Sequence, residues 1–282
     1  MNDVERYNFD RMGYLHIPAL LTRDETRRLY DASIALEADA LACRERSPKH
    51  MAMYGMAYWQ NQKHGYYAHG NRADGQTLMV EDFWLYPGEF DFLVGHERTL
   101  AYVKRVLKPG VRNDPFINNS ELRIRYTGNH TGIHMGFPWG HMAKYRYNVL
   151  DGHIDCAMVR MVYFLHDVGP EDGPIAFVPG SHKSAFPCPR EGVPVEEEPG
   201  IVPVYAKAGD AVFFTEACRH GGFTLRSNQT RYTLHVGYGP SFLRSQNIST
   251  MDENQNVTPA LLERLTPEQR QVLVLPGRTP IG

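Results

Sequence analysis

Thirteen histidines are spread along this chain, and the setting of a few of them decides what chemistry it can do. "HMGFPWGH" (residues 134–141) opens on a histidine that, followed at one remove by a carboxylate, would mark a non-haem iron site. The third residue here is Gly136, which has no side chain to donate. "HTGIH" sets His130 and His134 at the i, i+4 spacing of a zinc-binding helix. Gly128 and Gly132 oppose a helix there, and Thr131 stands where a zinc protease needs its glutamate. "HID" (His153, Asp155) matches His-x-Asp literally, but it lies where an apolar strand begins, and a polar pair there also simply marks a sheet edge. His182 in "PGSH" reads as a turn residue, and His16, His96 and His235 fall in strand or helix patterns that suit packing. His220 is different. It follows the strand-like "GDAVFFTEAC" and precedes Gly221 and Gly222, so its ring stands at a strand end with room beside it. Arg231 opens the next strand. In an antiparallel pair that would bring a guanidinium near the histidine, and a guanidinium grips a carboxylate through two hydrogen bonds. A metal-binding histidine with a deeper carboxylate anchor is what a chelating oxo-acid needs.

Elements able to position these residues can be read from the periodicity. "YLHI" (14–17) is a short extended segment, and "LTRDETRRLYDASIALEADALA" is a helix capped by the Thr22/Glu25 box, with Leu29, Ala32, Leu36 and Ala40 at helical spacing. Residues 49–74 show neither period and read as a long Met-, Tyr- and Gly-rich loop near a site. "HERTLAYVKRVL" (96–107) is a second helix, stopped by Lys108, Pro109 and Gly110. From about residue 116 the texture turns to strands. "ELRIRY" alternates strictly, "CAMVRMVYFL" is nearly all apolar, and "PIAFVPG", "IVPVY", "DAVFFT" and "RYTLHVGY" follow between Gly, Pro and Asp turns. Short strands so punctuated predict a mainly β, double-sheet structure such as a jelly roll, flanked by helices. The tail adds two helices, "TPALLERL" and "TPEQRQVLVL", each opening on Thr-Pro. One domain is expected over 1–282, with a helical and loop part at 1–115, the β core at 116–240 and a helical tail at 241–282.

Composition excludes several classes of function. A net charge of -2 on 282 residues offers nothing to nucleic acid or an anionic membrane. No apolar run is long enough to span a bilayer, and "MNDVERYNFD" is too polar for a signal peptide. Cys43, Cys156, Cys188 and Cys218 are scattered without C-x-x-C spacing, which suits free thiols in a reducing compartment, the cytoplasm.

"VRMVYFLHDVGPEDGPIAFVPGSHK" (159–183), "KAGDAVFFTEACRHGG" (207–222) and Arg231, in that order, resemble the phytanoyl-CoA dioxygenase family, as does the opening "FDRMGYLHIPALLTRDE". The resemblance covers most of the chain and is weakest over 40–95 and in the acidic loop "PREGVPVEEEPG". It implies a double-stranded β-helix of cupin type, Fe(II), O₂ and 2-oxoglutarate as co-substrate. His220 would then be the distal iron ligand and Arg231 the anchor for the 2-oxoglutarate 5-carboxylate. For the proximal His-x-Asp three candidates compete: His134, His141 and His153 with Asp155. His153 abuts the next strand and leaves almost none of the connection the family has there. "IHMG" resembles a branch of the family with His-Gly-Gly at this point, which favours His134, with His141 second.

With His134 as ligand, Gly136 would open a fourth iron position and remove one negative charge. In iron halogenases related to this family chloride fills that position. The alternatives are a carboxylate supplied by Asp155 or Asp151, giving hydroxylation, and a degenerate site. Outside the class, the chain could be a zinc hydrolase or a non-catalytic cupin-like binding protein. The partner expected is a small polar molecule. Tyr54, Tyr58, Trp59, Tyr66 and Tyr67 could stack on it, and Lys63, Arg72, Arg125, Lys144, Arg146 and Arg160 could hold an anionic group. Arg125 shares a strand face with Arg123, and two cations on a barrel's inner face call for an anion.

Overall fold

The computed structural model describes the chain except residues 48, 52–56, 71, 73–74, 108–114, 136–144, 187, 189–191, 241–242, 244–256 and 274–282. Gly136, His141, Tyr54 and Lys144 therefore lie outside the described residues. Fifteen strands are described: β1 (Tyr14–Ile17), β2 (Lys49–Met51), β3 (Ala57–Gln60), β4 (Tyr67–His69), β5 (Leu78–Glu81), β6 (Pro115–Arg125), β7 (Thr131–His134), β8 (Tyr147–Leu150), β9 (His153–Cys156), β10 (Val159–Phe164), β11 (Ile175–Phe177), β12 (Val202–Pro203), β13 (Ala211–Thr215), β14 (His220–Gly222) and β15 (Arg231–Pro240). They form an antiparallel nine-stranded sheet, β1-β13-β10-β15-β6-β5-β4-β3-β2, a four-stranded sheet, β12-β11-β14-β7, and the separate hairpin β8-β9.

The two sheets pack face to face. Val162, Phe164, Val212 and Phe214 from the large sheet meet Ile175 and Phe177 from the small one. The outer face of the large sheet is equally apolar. Leu78, Val80, Leu122, Ile124, Leu234 and Val236 pack there with Phe9 of α1 (Asp3–Met12), Leu29, Leu36 and Ala40 of α2 (Arg23–Arg44) and Val103 of α3 (Glu97–Val103). This is the jelly-roll core with flanking helices that the strand pattern predicts, and it leaves long central strands buried on both sides. Along β15, Tyr232, Leu234, Val236 and Tyr238 join the outer core, so Arg231, Thr233 and His235 point between the sheets.

Helix α2 starts where its cap predicts. The Thr22 hydroxyl accepts from Glu25 N–H while the Glu25 carboxylate accepts from Thr22 N–H. It is pinned to the sheet by Glu37, which takes the hydroxyls of Tyr126 and Tyr232. The tail helices α4 (Pro259–Arg264) and α5 (Pro267–Arg270) carry Thr258 and Thr266 caps, also as expected. Residues 49–74 depart from the loop reading. They hold β2, β3 and β4, which continue the large sheet beyond β5, with Trp59 and Ala68 facing the helices. Residues 1–115 thus supply five strands as well as helices. The four cysteines are free, and among the described residues no helix is long and apolar enough to cross a membrane.

Candidate active site

His220 and His134 are brought together by strand pairing in the small sheet. They are direct Cα partners on β14 and β7, and their ring centroids are 4.1 Å apart. Each ring is held by a carbonyl two residues back in the chain. Nδ1–H of His220 donates to the Cys218 carbonyl at 2.7 Å, and Nδ1–H of His134 donates to the Gly132 carbonyl at 2.8 Å. A carbonyl can only accept, so in both rings the proton sits on Nδ1 and Nε2 keeps its lone pair. Burial pushes both pKa values down, His220 well below the usual range with the neighbouring His134 adding to the shift. Phe214 at 4.7 Å and Phe177 at 5.7 Å wall in His220. Two neutral imidazoles oriented in this way can hold one metal ion. Met135, the residue after His134, has φ 64°, a left-handed conformation that costs about 1–3 kcal/mol in a non-glycine residue.

Among the described residues, no group of three or more His, Cys, Asp or Glu side chains comes together as a metal site. Asp155 is engaged elsewhere. It lies on the β8-β9 hairpin and takes both Nε and Nη2 of Arg146, at 3.1 and 3.0 Å. In this structure its carboxylate is spent on that ion pair. Asp155→Asn is expected to change metal affinity by no more than about 0.5 kcal/mol, roughly twofold. Isothermal calorimetry checks this, and loss of the metal in that variant would restore Asp155 to the site. His130 precedes a strand that ends on His134, so the two are not on a zinc helix. His182 Nε2–H donates to the Asp10 carbonyl of α1 at 3.0 Å, and His16 and His96 are satisfied by Asp210 and Thr99.

Arg231 does not reach the histidines through a hairpin, because β14 and β15 belong to different sheets. Its Cα partner is Arg125 on β6, and both side chains run between the sheets to the Gly173 carbonyl. Arg125 also donates to the carbonyls of Asn129 and Phe223. Neither guanidinium has a carboxylate partner among the described residues, and Nε of each is buried with no hydrogen bond. Burial, then the charges of Arg125 and Arg123, push the Arg231 pKa well below its ordinary value; Arg125 is pushed down to about 10, chiefly by burial. Two crowded, uncompensated cations are costly in a protein interior unless an anion meets them. Gly222 makes the crossing possible, since a Cβ there would lie 2.8 Å from Arg125 Nη1. The guanidinium pair therefore lies level with Gly222, two residues along β14 from His220, or about 7 Å at the rise of a strand. A five-carbon diacid chelating a metal on the histidines fits that span, so these residues suit both iron and 2-oxoglutarate.

A second charged group lines the same face. Glu121, fully buried, accepts from Arg123 Nε at 2.6 Å, Arg160 Nη1 at 3.2 Å and Asn119 Nδ2 at 2.9 Å, and Glu216 takes Arg160 Nε. Burial alone would raise the Glu121 pKa, but Arg123 and Arg160 override it and hold it at about 2. Arg160 is thus neutralised and no longer a candidate anion holder. Glu216 is itself buried beside Arg160. Sequence patterning could place Glu121 on the inner face but could not name its partners. Of the aromatic candidates, Trp59 and Tyr66 are core residues, and Tyr58 and Tyr67 remain partly exposed.

Solved structures with this fold include HygX from Streptomyces hygroscopicus, with nickel and 2-oxoglutarate bound. It is 20% identical, with TM-score 0.65, covering 91% of this chain and 98% of that one. The non-heme α-ketoglutarate-dependent epimerase SnoN from nogalamycin biosynthesis is 18% identical, with TM-score 0.58 and coverages of 91% and 88%. AviO1 from Streptomyces viridochromogenes is 20% identical, with TM-score 0.54 and coverages of 84% and 94%. No curated protein matches by sequence. The model of the family "Phytanoyl-CoA dioxygenase (PhyH)" matches residues 9–233, from α1 into β15, and takes in both histidines and Arg231. The chain belongs to the phytanoyl-CoA dioxygenase family and is an Fe(II)- and 2-oxoglutarate-dependent enzyme.

Proposed function

We propose that the protein oxidises a C–H bond of a small polar molecule at an iron held by His134 and His220, with the 2-oxoglutarate 5-carboxylate held by Arg231 and Arg125. Bound together, Fe(II), 2-oxoglutarate and O₂ supply the oxidising power for that bond. The protein's own contribution is positional. The Cys218 and Gly132 carbonyls hold the two rings in one tautomer, Phe177 and Phe214 keep water from His220, and the guanidinium pair sets the depth of the co-substrate. The guanidinium pair carries this reading, because it has no carboxylate partner among the described residues and its buried Nε–H groups need an acceptor that those residues do not provide.

We further propose that Gly136 leaves one metal position open to an exogenous anion, chloride being the candidate. Asp155 is committed to Arg146, and residues 136–144, "GFPWGHMAK", contain no Asp or Glu. HygX with hygromycin B bound and SnoN in complex with nogalamycin RO support a small-molecule substrate by analogy of fold. Chloride titrated into the anaerobic Fe(II)- and 2-oxoglutarate-loaded protein should shift its visible charge-transfer absorption. Gly136→Asp should weaken that response by about tenfold or more, one decade being about 1.4 kcal/mol. A wild-type spectrum indifferent to chloride would remove the halide position and leave hydroxylation as the reaction.

A further inference from the structure

The large sheet is wider than the metal site needs. On its inner face, strand register lines up His50, Tyr58, His69, Met79, Arg123 and Thr233 across β2, β3, β4, β5, β6 and β15. Their neighbours Trp59, Ala68, Val80 and Leu122 face the helices, so this row belongs to the side that carries Arg231 and Arg125. His50 is exposed and stacks on Tyr58 at 5.3 Å, and Tyr58 meets Tyr67 edge-on at 5.9 Å. Tyr58, Tyr67 and Met79 are each partly open. His69 is buried, and Nε2 has no hydrogen bond. Burial pushes its pKa down to about 4.

Arg123 is the unusual member. Only its Nε is engaged, by Glu121, and its terminal nitrogens make no hydrogen bond to a described residue while a fifth of the side chain is exposed. Glu121 does not depend on it alone, because Arg160 and Asn119 bond the same carboxylate. The co-substrate does not call for it either, since Arg125 and Arg231 already present two forks one step deeper on the same face. Arg123 is therefore an open guanidinium at the join between the metal cavity and an aromatic shelf. From Arg123 to Tyr58 is three strand spacings, about 14 Å.

We propose that this shelf seats the primary substrate, which carries a carboxylate or phosphate on Arg123 and a ring laid along Tyr58 and Tyr67. Aromatic faces beside a guanidinium fork suit such a molecule. The proposal rests on the iron and 2-oxoglutarate assignment above.

The test uses protein loaded with Mn(II) and saturating 2-oxoglutarate, with 2-naphthoate, 2-naphthyl phosphate and neutral 2-naphthamide as probes. Paramagnetic broadening of the probe protons reports binding near the metal. One or both anionic probes should bind about tenfold or more tightly than the amide, the better one distinguishing carboxylate from phosphate. Arg123→Met should remove that preference, Arg123→Lys should keep part of it, and Tyr58→Ala should weaken all three probes together. The proposal is overturned if acid and amide bind alike, if no probe is broadened, or if the preference survives Arg123→Met in folded protein. A tenfold loss of 2-oxoglutarate itself in Arg123→Met would assign the residue to the co-substrate instead. Failure of the wild type to bind 2-oxoglutarate would instead overturn the underlying assignment, and this one with it.

Discussion

Arg231→Ala is expected to weaken 2-oxoglutarate by roughly 30-fold to several thousand-fold while leaving metal affinity nearly unchanged. Truncating one partner of a buried, charge-assisted pair costs about 2–5 kcal/mol, and each factor of ten is about 1.4 kcal/mol. The effect on the free protein should run the other way. Without an anion Arg231 is desolvated and repelled by Arg125, so removing it should not lower the melting temperature and should abolish the stabilisation that 2-oxoglutarate gives the wild type. Arg231→Lys should recover little, because an ammonium cannot reproduce the planar fork. Titration of 2-oxoglutarate into the metal-loaded variant decides it; an unchanged dissociation constant would remove the co-substrate assignment.

His220→Gln and His134→Gln should each abolish metal binding at micromolar metal. Either change removes half of the imidazole donors, and the loss should exceed the roughly 10–100-fold that removal of a mere supporting hydrogen bond costs. Glutamine preserves much of the volume between Phe177 and Phe214, so the fold should survive in His220→Gln. Circular dichroism and metal titration on the same sample separate the two effects. Metal binding retained in His134→Gln and lost in His141→Gln would move the proximal ligand to His141.

The central strands were legible because their alternation is long and strict. "ELRIRY" and "RYTLHVGY" each assign apolar residues to one face and charged ones to the other, and β6 and β15 use them so. The caps of α2, α4 and α5 were legible for the same local reason. Strands β2, β3 and β4 were not. They are three or four residues long, too short for a period of two to stand out among Met, Gly and Tyr. His220 and Arg231 could be picked out individually, but their relation could not. Closeness in the chain suggested a hairpin, whereas the jelly roll sends β14 and β15 to opposite sheets and gives Arg231 a second arginine as its partner. Ion-pair choice is equally non-local. Only the folded chain shows that Asp155 goes to Arg146 and Glu216 to Arg160.

The most direct measurement is an anaerobic crystal structure of the protein loaded with Fe(II), 2-oxoglutarate and chloride. Nε2 of His134 and His220 should be the two protein ligands, the 5-carboxylate should lie on Arg231 and Arg125, and an anion not supplied by the protein should occupy the position beside Gly136. A third protein ligand in that position, or a 2-oxoglutarate carboxylate lying away from the two arginines, would contradict it.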